Sequence, residues 1–291
     1  MLSVVGNGGE CLKFSVKNTV LLYVLLAALL MLANNLTPNP VVATGITRVQ
    51  GPYRGTSTTG VVAGGAGNFT VTMTSTPTQG DTEILTFAGA AKATQGVCGF
   101  QVLVISQTGV TWQSSRGGPF MGDAYANDGL GTCNGSGTQG AGPVATVTSI
   151  WAGIVGAGAG KTVTVTWSIN YYPGVLQAIS VVADICEYSG LSTTIQVDQT
   201  ASMDNIGSTT LTTGLTGTTS QANELFVGSI AVNGYAQSQK TYTMLDGAQV
   251  GNGVSDAYLE NIATSTGTAE GQTTVPTATN GCGAIATFES A

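Results

Sequence analysis

Residues 161–169 read KTVTVTWSI and residues 68–75 read NFTVTMTS. In the first stretch Val163, Val165, Trp167 and Ile169 fall at every second position; in the second, Phe69, Val71 and Met73 alternate with Thr70, Thr72 and Thr74. A period of two places the apolar side chains on one face of an extended strand and threonine on the other, and β-branched residues suit the pleat. Working outward, residues 83–88, 100–105, 144–154, 176–188, 225–232, 241–245, 257–264 and 282–288 also read as strands. Clusters of Gly, Asn, Asp and Pro separate them, at 64–68, 117–142, 173–174, 246–247 and 280–281. No segment after residue 43 carries a helical stripe. About ten strands joined by turns predict an all-β chain in which 44–291 form a single antiparallel sandwich or barrel. No internal repeat stands out in the sequence.

The chain has no histidine and only 8 Lys plus Arg against 15 Asp plus Glu, a net charge of −7 over 291 residues. Without histidine the Ser-His-Asp and Cys-His arrangements and the commonest zinc ligand are missing, so the expectation is a protein that is not an enzyme. An acidic surface argues against nucleic acid and anionic membranes, which require clustered Lys and Arg. Charged residues make up 8% of the chain, well below the roughly 25% of ordinary domains. Such a surface suits a subunit packed against copies of itself, since a densely charged lateral face would repel them.

Residues 1–43 read as an export element. Lys13 and Lys17 precede the apolar run VLLYVLLAALLMLA at 20–33, and Asn34, Asn35, Pro38 and Pro40 follow it. A hydrophobic helix of this length matches a signal-peptide core better than a membrane span, which needs roughly 20 residues. Val41 and Ala43 supply small residues for cleavage; the alternative is an uncleaved anchor, the only contact with a membrane. Both readings place the body outside the cell. Thr44–Gln50 would then be either the first strand of the sandwich or a segment exchanged with a neighbouring copy.

Cysteine usage agrees with an oxidising compartment. The body carries Cys98, Cys133, Cys186 and Cys282, an even number without CxxC spacing, which suggests two disulfides with three connectivities open. The favoured pairs are Cys98 with Cys133, beside glycine-rich loops, and Cys186 with Cys282, in apolar runs. The alternative is buried thiols. Asn35, Asn68 and Asn134 open N-x-S/T sequons and are glycosylation candidates.

Each candidate functional residue has a structural reading beside it. Asp184 and Glu187 are three positions apart, hence on opposite faces of one strand, and Glu187 could meet Glu224 only through the tertiary fold; a glycosidase needs two facing carboxylates. Asp123, Asn127 and Asp128 cluster oxygen ligands that could hold calcium, as do Asp198 and Asp204. Trp112, Trp151 and Trp167 fall in strands and read as core. Tyr171 and Tyr172, before Pro173-Gly174, could stack on sugar rings at a hairpin tip. The glycines of GIVGAGAGK at 153–161 lack the following helix of a phosphate loop and read as a turn.

The ordered segments GVTWQ (109–113), SIWAGIVGAGAGKTVTVTWS (149–168), CEYSGL (186–191), VDQTAS (197–202), TTSQANELFVGSIAV (218–232) and GAIATFES (283–290) resemble a widespread family of secreted jelly-roll β-sandwich domains of bacterial and archaeal surface proteins. The resemblance runs from about Ile46 to the C-terminus. It implies a jelly-roll-like antiparallel sandwich at the cell surface, with no catalytic motif to carry over. Where the family's last strand carries an aromatic, this chain has Gly281-Cys282-Gly283, which implies a disulfide in place of ring packing. The expected function is an extracellular structural protein, a subunit of a filament, surface layer or adhesive coat whose partners are copies of itself or other surface components. The alternative is a lectin-like module that binds glycans.

Overall fold

The computed structural model describes residues 3–5, 11–13, 45–59, 66–93, 97–113, 124–126, 144–171, 176–194, 197–250 and 253–291. The chain divides into two units, Met1–Thr44 and Gly45–Ala291. In the first, β1 (Ser3–Val5) and β2 (Cys11–Lys13) form an antiparallel hairpin. The apolar run at 20–33, expected to be helical, lies outside the described residues.

The second unit is all-β. It opens with β3 (Thr47–Thr59), β4 (Ala66–Thr72), β5 (Thr82–Ala93) and β6 (Val97–Ser106). Next come β7 (Val110–Trp112), β8 (Ala124–Ala126), β9 (Val144–Val155), β10 (Thr162–Tyr171) and β11 (Leu176–Ser189). The last six are β12 (Val197–Thr212), β13 (Glu224–Asn233), β14 (Ser238–Gln239), β15 (Thr243–Asp246), β16 (Val254–Ala263) and β17 (Gln272–Glu289). They form three antiparallel sheets, ordered β4-β10-β6, β3-β11-β5-β9-β7 with β8 on β9, and β12-β17-β13-β16-β15 with β14 on β17.

Alternation stacks these sheets in three layers. Phe69, Val71, Val163, Val165 and Trp167 of the small sheet pack against Leu85, Phe87, Trp151, Val181 and Ile185 of the β5-β9-β11 sheet. The residues between those, Ile84, Ala88, Ile150, Val182 and Cys186, point the other way and pack against Leu225, Val227, Tyr258, Ala284 and Phe288 of the third sheet. The β5-β9-β11 sheet is therefore a middle layer, and residues 82–90 are buried without interruption. Burying each large apolar side chain contributes about 1.5–3 kcal/mol before entropy is set against it. Antiparallel sheets packed face to face are what the alternation predicts; the third layer comes from the C-terminal strands folding onto the face that the first two would leave wet.

The two large sheets repeat one topology. Reading β3, β11, β5, β9 and β7 against β12, β17, β13, β16 and β15, each strand has a counterpart at the same place in the sheet and in the chain. The small sheet is repeated in miniature, because the end of β12 pairs with the start of β17 at Thr210↔Thr274, and β14 flanks that segment. Packing between the halves is reciprocal: β9 lies against β13 and β17, while β16 lies against β5 and β11. This is the geometry of a twofold interface built within one chain.

Two strands, β3 and β12, escape the alternation rule. The Gly and Ser/Thr-rich stretch 51–67 reads as a separator between Thr44–Gln50 and the sandwich, yet β3 runs through to Thr59 and pairs with β11 from Thr47↔Ser189 to Thr59↔Ile179. Thr47–Gln50 is thus the first strand of its own sandwich, with Ile46 buried in the core below. Gly55 sits where any side chain would meet the Thr70 carbonyl of β4, so the strand needs glycine for close backbone approach. Gly67 of β4 serves Trp167 similarly: a Cβ there would lie 2.7 Å from the indole. Gly67→Ala should destabilise the body by about 1–3 kcal/mol, because the buried ring has no room to yield. Denaturant titration checks this, expecting a lower midpoint with an unchanged slope.

Candidate functional site

A sheet buried on both faces must satisfy its polar side chains internally, and three polar clusters result. Between the middle and third sheets, Arg54 of β3 faces Asp184 of β11 in register. Its Nε donates to Asp184 Oδ1 at 2.9 Å and its Nη2 to Oδ2 at 2.7 Å, a bidentate pair. The guanidinium also reaches the Ala248 carbonyl at 2.7 Å and Asp246 Oδ1 at 3.1 Å, and so ties the middle sheet to the segment after β15. Asp256 of β16 lies alongside, wholly buried, and accepts from the Ser229 hydroxyl at 2.6 Å. Ser229 is in turn bonded to Thr148 of β9. Burial pushes Asp184 up to about 7 despite its bonds to Arg54, and pushes Asp256 up to about 6.

The opposite face of the same sheet carries Glu187. Its oxygens accept from the Gln50 amide and, at 2.6 Å, from the Thr78 backbone N–H. Glu83 of β5 stands directly opposite Glu187, also wholly buried, with Gln107 Nε2 donating to its Oε1 at 2.9 Å. Burial and the neighbouring Glu187 charge push Glu83 up to about 7, although the Gln107 bond opposes the shift. Asp81 is raised to about 6 by burial and by its hydrogen bond to Glu187.

A third polar group closes the far end of the interlayer. The Tyr188 hydroxyl lies 3.2 Å from that of Tyr258 and donates to Glu260 Oε2 at 2.8 Å, and Arg48 pairs with Glu260 at 3.7 Å. Cys186 lies among these groups, and burial pushes its thiol up to about 12.

Measured against the sequence reading, Asp184 and Glu187 do lie on opposite faces and serve different clusters. Glu187 and Glu224 do not meet: Glu187 faces the small sheet, whereas Glu224 shares the parity of Phe226 on the far side of the third sheet. Asp198 and Asp204 are not on a loop but six residues apart in β12, roughly 20 Å along an extended strand. Among the described residues no group of three or more Cys, Asp or Glu is arranged to hold a metal ion. The calcium candidates Asp123, Asn127 and Asp128 lie outside the described residues, as do Tyr172, Cys133, Asn35 and Asn134. Tyr171 ends β10 opposite Val97, and Cys98 lies in β6 opposite Asn170; their side chains are outside the described set. Asn68 is exposed in β4. Trp151 and Trp167 are core, and Trp112 packs against that core. The 156–160 turn spends its amides internally, Gly156 N–H on the Gly109 carbonyl and Gly160 N–H on Thr108.

Cys186 and Cys282, favoured as one bridge, are both buried in the interlayer core, and no bond between them is formed there. Cys186 instead sits in the Tyr188 and Tyr258 hydroxyl group. The sequence reading missed Arg54 and Asp256. The rarity of basic residues in this chain was the one available signal that an arginine inside a strand would be paired.

No family model, curated protein or solved structure matches this chain.

Two outcomes test these clusters. Arg54→Met should cost roughly 1–3 kcal/mol, because Asp184 loses both guanidinium bonds and is left buried without its partner, and much less in an Asp184→Asn background; a double-mutant cycle in urea reads the difference. Cys186 should resist alkylation in the native protein at pH 8 and react fully once it is unfolded, as mass spectrometry of the labelled peptide will show.

Proposed function

We propose that this is an exported, non-enzymatic surface protein whose body assembles with copies of itself into a layer, filament or coat. The observation carrying this reading is the outward face of the β4-β10-β6 sheet. Asn68, Thr70 and Thr72 alternate there with buried residues, and Thr162, Thr164, Thr166 and Ser168 stand beside them on β10. That face is uncharged and regular, whereas Arg48 and Arg54 turn onto Glu260, Asp184 and Asp246. Lateral contact through such a face brings no like charges together and offers hydroxyls for hydrogen bonding.

The strand order supports a jelly roll. Successive strands β3, β4, β5 and β6 alternate between two sheets, and the first strand pairs with the last, β11. The leader-like 1–43 segment and the resemblance to secreted surface domains support export. The same hydroxyl face favours a second reading, a module that hydrogen-bonds glycans, with Tyr171 and Tyr172 as a stacking platform and calcium held by Asp123, Asn127 and Asp128.

Negative-stain microscopy with light scattering on the native protein separates the two readings. Assembly predicts ordered polymers or sheets that disperse when Thr70 and Thr164 are both changed to lysine. Monomers that are retained on glycan arrays would instead establish the binding module.

A further inference from the structure

Glu83 stands directly opposite Glu187 across β5 and β11, and Glu224 stands directly opposite Glu289 across β13 and β17. These are counterpart positions in the two repeated sheets: Ile84 and Leu225, the next residues, both enter the interlayer core. Glu83, Glu187 and Glu224 are wholly buried, and Glu83 Oε2 has no hydrogen-bond partner among the described residues. Directly opposed residues bring their Cβ atoms within about 5 Å, where like charges repel.

The groups around each pair do not neutralise it. Facing Glu83 and Glu187 are Asp81, the amides of Gln50 and Gln107, and Gly153 of β9. Facing Glu224 and Glu289 are Asp198 of β12, the Thr287 hydroxyl, the Ser220 hydroxyl and Ala263 of β16. Among the described residues ion pairs are made by Arg48 and Arg54, and none reaches these glutamates. Lys161 and Lys240 bond to Thr74 and Thr210 instead.

One proton turns a carboxyl–carboxylate contact such as that of Asp81 with Glu187 into a charge-assisted hydrogen bond, and it lets Glu83 stand beside Glu187 without repulsion. We infer that in each half of the body a buried carboxyl keeps its proton against its carboxylate neighbour, so that the folded protein is stabilised by bound protons and is built for acidic surroundings. The Arg54 cluster follows the same economy, since one guanidinium serves Asp184 and Asp246 with Asp256 alongside. Independently of the geometry, burial with its carboxylate neighbours raises Glu83 and Glu224 to about 7 and Asp81 to about 6.

The sign follows from linkage. A carboxyl raised from its ordinary value near 4 to about 6 or 7 leaves the folded state holding more protons than the unfolded state in that window. Stability is then greatest below about pH 4 to 5 from these groups and falls as pH rises through 6 and 7. This is the reverse of a protein held by ionised carboxylates.

The test uses the full chain and needs no variant to begin with. Unfolding at pH 6 in weak buffer should release about two or more protons per chain, and the thermal midpoint should be at least about 5 °C higher at pH 5 than at pH 8. Glu83→Gln with Glu224→Gln should flatten the pH dependence and reduce the proton release. Proton uptake on unfolding, or a midpoint that rises from pH 5 to pH 8, would overturn the inference. So would a glutamine pair that folds and leaves the release unchanged. If the doubly substituted chain does not fold, the release from the unsubstituted chain decides alone.

Discussion

A β-sheet covered on both faces has no water to give its side chains, and the body of this protein is arranged around one. Most polar groups on β5, β9 and β11 are answered from within: Asp184 by Arg54, Glu187 by Gln50 and the Thr78 backbone, Thr148 by Ser229. Buried groups of this kind contribute little net stability when paired but are costly when orphaned. They therefore act as register marks. A slip of one residue along β11 would carry Asp184 into the apolar layer beside Phe87 and Trp167, and Val181 or Ile185 onto the arginine.

The third sheet is what removes the water, and it does so by repeating the middle sheet's own strand order. The reciprocal packing of β9 and β16 against the opposite half is the form that a self-complementary dimer takes. The apolar face of one sheet thus meets a near copy of itself, and neither needs a partner chain to bury it. Among the surfaces left for contact with other molecules is the hydroxyl-rich face of the small sheet. The proposed role draws on that face, where threonine points outward while Arg48 and Arg54 are paired with Glu260, Asp184 and Asp246.

Much of this was legible in the sequence. The alternation in residues 68–75 and 161–169 marks β4 and β10, and the near-continuous apolar run ISVVADIC in β11 is the kind expected of a strand buried on both sides. The opposite placement of Asp184 and Glu187 follows from parity alone. The strands that escaped, β3 and β12, lie at sheet edges, where Gly, Thr and Asp replace the apolar alternation because half their surface is wet. The repeat escaped because the halves share strand positions and a few residues such as the glutamate pair, not an extended sequence. Arg54 and Asp184 are 130 residues apart and Tyr188 and Glu260 are 72 apart, so no local spacing could have joined them. The surroundings of Cys186 were not legible either, because a cysteine count says nothing about which side chains face each other.

The central claim is that β5, β9 and β11 form a layer closed on both sides. Hydrogen exchange followed by mass spectrometry tests it most directly, since protection depends on how much of the structure must open to expose an amide. The account predicts that amides of residues 82–90, 147–153 and 180–187 exchange last and together, through global unfolding, while those of β7, β12 and β15 exchange early. Exchange of the 82–90 and 180–187 amides as fast as those of β12 would contradict it, because the third sheet would then not be seated on the middle one.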